Sequence, residues 1–183
     1  SGVPAWFQPR GVQPSGSAPY PEAPPAAHTG GFGEPTCHAC HLDYELQPAG
    51  DGLEIRGLPA TYEPGESYRL TVMVTRADIG NAGFQLAVRF ADGQNRGVQA
   101  GAIEGDDERT EITVAGTPVV QYLHHTRTGT ALTSADTAKW SFTWTAPESD
   151  APVSIDVSAN AANDDASELG DYVYVRAVQL TAR

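Results

Sequence analysis

The chain has 183 residues, enough for one domain with a real core, and its 19 glycines and 14 prolines, spread along the whole length, exclude a mostly helical protein. Its 23 acidic residues against 11 basic ones leave a formal charge of −12, which argues against a polyanionic nucleic acid as partner. No apolar run reaches the roughly 18 residues that a transmembrane helix needs.

Residues 1–27, SGVPAWFQPRGVQPSGSAPYPEAPPAA, are proline-rich and lack any apolar period, which predicts an extended tail in front of a domain over residues 28–183. Trp6, Phe7 and Tyr20 are aromatics that a spacer does not need. They read either as incidental or as a docking arm that orders on a partner.

Next comes GEPTCHACH, with both cysteines of the chain at Cys37 and Cys40 and His41 directly after the second. On one helical turn, positions i, i+3 and i+4 share a face, so the two thiols and the imidazole point the same way. This arrangement suits a haem edge: two sulfurs reach the two vinyl groups and His41 supplies the proximal nitrogen. Two other chemistries use the same spacing. A redox disulfide would open a helix in a βαβ setting, whereas here a proline-rich stretch precedes and strand-like sequence follows. A structural zinc would need two more ligands, with His38 or a distant histidine serving beside only two thiolates. One covalent haem c is the preferred reading, and covalent attachment places the chain in the periplasm or at the cell surface, because c-type maturation takes place outside the cytoplasm.

Beyond the motif the apolar period becomes two. Leu70, Val72 and Val74 recur within SYRLTVMV at Ser67 to Val74, and similar runs lie at 84–90, 112–114, 119–123, 140–144, 153–157 and 172–180. Pro64-Gly65, Asp92-Gly93 and Ala146-Pro147 punctuate them. Seven or eight half-buried strands with no helical segment between them predict an all-β antiparallel β-sandwich. Trp140, Phe142 and Trp144 share one face and are expected in its core. Asp106-Asp107-Glu108, and Asn163-Asp164-Asp165 with Glu168 and Asp171, lack EF-hand spacing and read as solvated acidic loops.

Several stretches occur together and in one order: HTGGFGEPTCHACH, PATYEPGESYRL at 59–70, GFQL at 83–86, HTRTGT from His125, WSFTWTAP from Trp140, and ANAANDD followed by GDYVY. Over about residues 28–180 this set resembles bacterial reelin-domain-like (Reeler, or choice-of-anchor) proteins that carry an N-terminal c-haem motif. The resemblance implies an immunoglobulin-like β-sandwich at the cell surface or in the periplasm, with haem attached just before the first strand.

His41 leaves one axial position of the iron to fill, and Met73, His124, His125 and His28 compete for it, with His38 confined to the attachment turn. Met73 alternates with Leu70, Val72 and Val74, so it faces away if they face the core. His124 and His125 are adjacent and point to opposite sides of an extended strand. In the resembling family a histidine followed by threonine and a later Gly-Thr recurs here, which His125-Thr126 and Gly129-Thr130 match, so the resemblance implies His125 as distal ligand and leaves His124 solvated or beside the site.

Two imidazoles would give a six-coordinate iron without room for substrate, so the expected role is one-electron transfer between redox partner proteins and not enzymatic catalysis. Two other roles compete: an accessory subunit of a larger membrane-associated or surface assembly, docked through the N-terminal tail, and a haem enzyme or gas sensor with an open iron.

Overall fold

The structure, a computed structural model, describes residues 23–42, 44–48, 50, 52–163 and 170–183. Trp6, Phe7, Tyr20, Asp164, Asp165 and Glu168 therefore lie outside the described residues. Ten strands are found among the described residues: β1 (Gln47–Pro48), β2 (Leu53–Arg56), β3 (Ser67–Thr75), β4 (Asn81–Phe90), β5 (Ala102–Gly105), β6 (Thr110–Ala115), β7 (Val120–His125), β8 (Thr137–Thr145), β9 (Val153–Ala162) and β10 (Tyr172–Leu180). They form two sheets, of order β1-β10-β9-β4-β7-β6 and β2-β3-β8-β5. Every pairing is antiparallel except the short parallel contact of β1 with β10. The protein is an all-β sandwich, and the expected strands are all present; β1, β2 and β5 are additional, too short to leave a clear alternation.

The four-stranded sheet follows the period-two rule closely. Leu70, Val72 and Val74 of β3, and Trp140, Phe142 and Trp144 of β8, are all buried between the sheets. Thr71 and Ser141 bond across the opposite face at 2.8 Å, and the half-buried Met73 lies on that face, opposite Lys139. Phe84 of the other sheet stacks on Trp140 with ring centroids 4.5 Å apart, so the aromatic row of β8 joins the two layers.

The six-stranded sheet departs from the expected half-burial. All ten residues of β9 and nine of the ten in β4 are buried. The inner positions are apolar: Phe84, Leu86 and Val88 on β4, and Ile155, Val157 and Ala159 on β9. The outer positions pair across the strands as Gly83 with Asn160, Gln85 with Ser158, Ala87 with Asp156 and Arg89 with Ser154. A second layer covers this polar row: the segment from Pro25 to His41 runs over it as a strap. The Gln85 side chain donates to the Pro25 carbonyl at 2.9 Å and accepts from the His28 N–H at 2.7 Å, while Ala26 and Ala27 pack on Ala87, Val120 and Tyr122. Among the described residues, Pro25, Ala26 and Ala27 of the proline-rich stretch thus already meet the sandwich.

Because Phe142 is completely buried between the sheets, Phe142→Ala is expected to destabilise the fold by about 3–5 kcal/mol, with the midpoint of urea unfolding moving down and the slope unchanged.

Candidate functional site

The strap is positioned by one buried cation. Arg89 stands on the outer face of β4 with its side chain 3% exposed, where an unpaired guanidinium would be intolerable. Glu34 of the strap meets it at 2.5 Å, and Asp156 of β9 lies 3.8 Å away. Glu34 also accepts from the Thr29 hydroxyl at 2.5 Å and from the Tyr122 hydroxyl at 2.6 Å. Burial by itself would raise the Glu34 carboxyl, but the hydrogen bonds from Arg89, Thr29 and Tyr122, with the charge of Arg89, hold it below its ordinary value. The Tyr122 hydroxyl is pushed up to about 12 by desolvation and by the Glu34 carboxylate. Gly31 permits the close approach: a side chain there would collide with the Asp156 carboxyl.

Three residues past Glu34, the Cys37 N–H donates to the Ser158 hydroxyl at 3.0 Å, which sets the cysteine turn on β9. Thr36 caps the turn by accepting from the His38 N–H at 3.1 Å. Cys37–Ala39 is a single 3-10 turn, and the N–H groups of Cys40 and His41 both reach the Cys37 carbonyl, at 3.2 and 3.1 Å. Both cysteines are free. Desolvation pushes the Cys37 thiol up to about 11 despite its bond with Ser158. His38 turns outward, its Nε2 lying 2.9 Å from the Tyr44 carbonyl. Among the described residues, no three His, Cys, Asp or Glu side chains converge as a bare metal ion would need.

His41 lands on the end of β9. Its Nδ1 lies 2.6 Å from Asp171 Oδ2, and the Asn160 amide lies 3.3 and 3.4 Å from its two ring nitrogens while donating to the same carboxylate oxygen at 3.1 Å. Asp171 was expected in a solvated acidic loop; it is instead 2% exposed, because the start of β10 carries it under the imidazole. Asn160 Oδ1 and Asp171 Oδ1 are buried without a hydrogen-bond partner among the described residues.

The other axial candidates separate cleanly. Met73 lies on the outer face of the opposite sheet, away from His41. His124, expected to be solvated or beside the site, is fully buried, with Nε2 2.8 Å from the Thr113 hydroxyl and Nδ1 2.9 Å from the His125 carbonyl, so both nitrogens are engaged. His28 sits in the strap above Gln85, its Nδ1 2.9 Å from the Ala26 carbonyl. His125 ends β7 and binds the Phe84 backbone through Nδ1, 3.0 Å from the nitrogen and 3.2 Å from the oxygen. Its ring occupies the space that a side chain on Gly83 would fill, since a Cβ there would fall 2.6 Å from it. Gly83 pairs with Asn160, so His125 and His41 lie over the two members of one cross-strand pair.

These residues fit a covalent haem in donor chemistry: two free thiols share one turn, the imidazole behind them has Nδ1 tied to a carboxylate, and a second imidazole lies over a residue with no side chain. Sequence reasoning missed Asp171, Asn160, Gly83 and the Arg89–Glu34 pair. A signal existed in SIDVSAN, where Ser154, Asp156, Ser158 and Asn160 put four polar groups on one face of a strand whose register mate carries Arg89.

The chain is similar in fold to the human F-spondin reeler domain, at 17% identity over 76% of this chain and 96% of that one with a TM-score of 0.47. It is similar also to the Reelin-N domain of F-spondin, at 17% identity over 80% and 95% with a TM-score of 0.49. A cohesin module from a Clostridium perfringens family 33 glycoside hydrolase shares 7% identity over 72% and 96%, with a TM-score of 0.46. No family model matches the chain, and neither does any curated protein.

The Glu34 carboxyl lies lower in the folded chain, so its stabilisation is complete above its ordinary value of 4.5 and is lost as pH falls through the folded value. Asp156, raised above 3.8 by burial, acts with the opposite sign, because ionising it costs the folded state as pH rises. Glu34→Gln is therefore expected to be less stable than the parent by about 1–3 kcal/mol at pH 7. That difference should shrink below pH 4.5, as read by urea unfolding at pH 7 and pH 3.

Proposed function

We propose that this chain is an exported, monohaem c-type cytochrome that carries one electron at a time between redox partner proteins. Cys37 and Cys40 hold the haem through thioether bonds, His41 is the proximal ligand and His125 the distal one. The observation that carries this reading is the placement of His41 and His125 over the paired residues Asn160 and Gly83, with both cysteines on the turn that delivers His41.

Each residue has a definable task. The Nδ1–H of His41 donates to Asp171, which fixes the tautomer whose Nε2 lone pair could hold iron. At His125 the Phe84 N–H donates to Nδ1 at 3.0 Å and the Phe84 carbonyl lies 3.2 Å from the same nitrogen, so holding iron through Nε2 requires the tautomer whose Nδ1–H donates to that carbonyl. Ser158 and the Glu34–Arg89 clamp hold the cysteine turn to the sheet, so the sulfurs do not wander relative to the imidazoles. With two imidazole ligands, bound haem supplies a six-coordinate iron that exchanges single electrons without binding a substrate. The charge of −12 steers a partner with a basic docking face, an attraction that fades as salt rises. Among the described residues no helix is long and apolar enough to cross a membrane.

Leu42, Tyr44 and Leu46, directly after the motif, are 64%, 43% and 41% exposed and favour a second reading, in which the same cytochrome is a docked subunit of a larger assembly. In that case a full-length chain isolated from its native source co-purifies with other subunits, and removing residues 1–22 weakens the association. Solitary behaviour of the full chain argues against this reading.

The principal test is spectroscopic. Intact-mass measurement of the exported chain is expected to show the covalent haem increment. The reduced spectrum should have a c-type α band unchanged by carbon monoxide, and His125→Ala should convert the iron to high spin. A mass equal to the amino acids alone sinks the cytochrome reading; a low-spin spectrum surviving in His125→Ala but lost in His28→Ala reassigns the distal ligand.

A further inference from the structure

Asp171 and Asn160 form a unit that the sequence does not announce. The carboxylate is buried at the start of β10, 2.6 Å from Nδ1 of His41, and the Asn160 amide donates to that same oxygen at 3.1 Å. Among the described residues the second carboxylate oxygen, Oδ1, has no hydrogen-bond partner, so His41 and Asn160 are the groups that meet this carboxylate there. Arg89 stands on the opposite end of β4, paired with Glu34, and is not spent on Asp171. The imidazole N–H is thus the principal donor to an otherwise little-neutralised carboxylate, and the amide is a modulator that competes for the same lone pairs.

We propose that Asp171 is a positioning and tuning residue for His41: it draws the Nδ1 proton, makes the ring a stronger donor at Nε2, and biases the bound iron toward its oxidised state, while Asn160 moderates that pull. This rests on the haem reading above. The physical reason is general, since a carboxylate on the distal nitrogen of a ligating imidazole raises ligand basicity and so favours the more highly charged metal. The arrangement also predicts opposite effects from its two members. Removing the charge of Asp171 weakens the pull on the proton, whereas removing the Asn160 amide leaves the carboxylate wholly to the imidazole and also frees the two ring nitrogens, 3.3 and 3.4 Å away, from the amide.

The experiment is a redox titration of the full-length, haem-loaded chain and two variants, each first verified by intact mass and by a low-spin spectrum. Asp171→Asn is isosteric, and it is expected to shift the oxidised-to-reduced equilibrium toward reduced at least tenfold, about 59 mV upward for one electron. Asn160→Ala is expected to move the midpoint in the opposite direction, by less. Opposite shifts at retained low spin support the proposal; midpoints that do not move, or that move in the same direction, overturn it. Should Asp171→Asn not accumulate, the sign of the Asn160→Ala shift decides alone: a fall supports the proposal and a rise or no change overturns it. A parent chain with only the mass of its amino acids overturns the haem reading and this inference together, an outcome that the mass measurement separates from failure of the tuning role.

Discussion

The buried guanidinium of Arg89 is the constraint from which the outer half of this molecule follows. A cation 3% exposed in the middle of a sheet is tolerable only with carboxylates against it, and only one of the two nearby comes from the sheet itself. The other, Glu34, must be delivered by the strap. Once Glu34 is seated, the chain has little freedom over the next few residues: Cys37 meets Ser158 on the neighbouring strand, and His41 meets Asn160 one strand step further. The cysteine turn is therefore placed by an ion pair that lies outside the turn itself.

Covering the outer face explains why β4 and β9 break the alternation that the other sheet obeys. A strand buried on both faces ordinarily becomes apolar throughout, yet here the outer row is Gly83, Gln85 and Arg89 against Asn160, Ser158 and Asp156. Its polar side chains largely meet the strap: Gln85 holds Pro25 and His28, Ser158 holds Cys37, Arg89 holds Glu34 and Thr29, and Asn160 touches His41. Polar groups that would be costly under an apolar layer serve instead as its address.

The division of labour between the two sheets is then physical. The four-stranded sheet and the inner face of the other build the core around Trp140, Phe142 and Trp144, and that core asks only for apolar side chains at alternate positions. The outer face of the six-stranded sheet carries the specific contacts, where one missing side chain at Gly83 makes room for an imidazole and one carboxylate at Asp171 orients another. Burial supplies stability on one side, and directional hydrogen bonds fix side-chain positions on the other.

The sequence by itself determined the sandwich, the aromatic row of β8, the outward position of Met73 and the shared turn of Cys37, Cys40 and His41, because each is a consequence of local periodicity or close spacing. Periodicity alone left Met73, His28, His124 and His125 in competition, with only the family resemblance favouring His125, and it misplaced Asp171 among solvated loops, because the contacts of His125 with Phe84 and of His41 with Asp171 span 41 and 130 residues of chain. Only the pairing register of β4 with β9 and β10 with β9 brings Gly83, Asn160 and Asp171 to one place. Register is a property of the assembled sheet: it depends on which apolar faces meet across the core, and no window of neighbouring residues contains it.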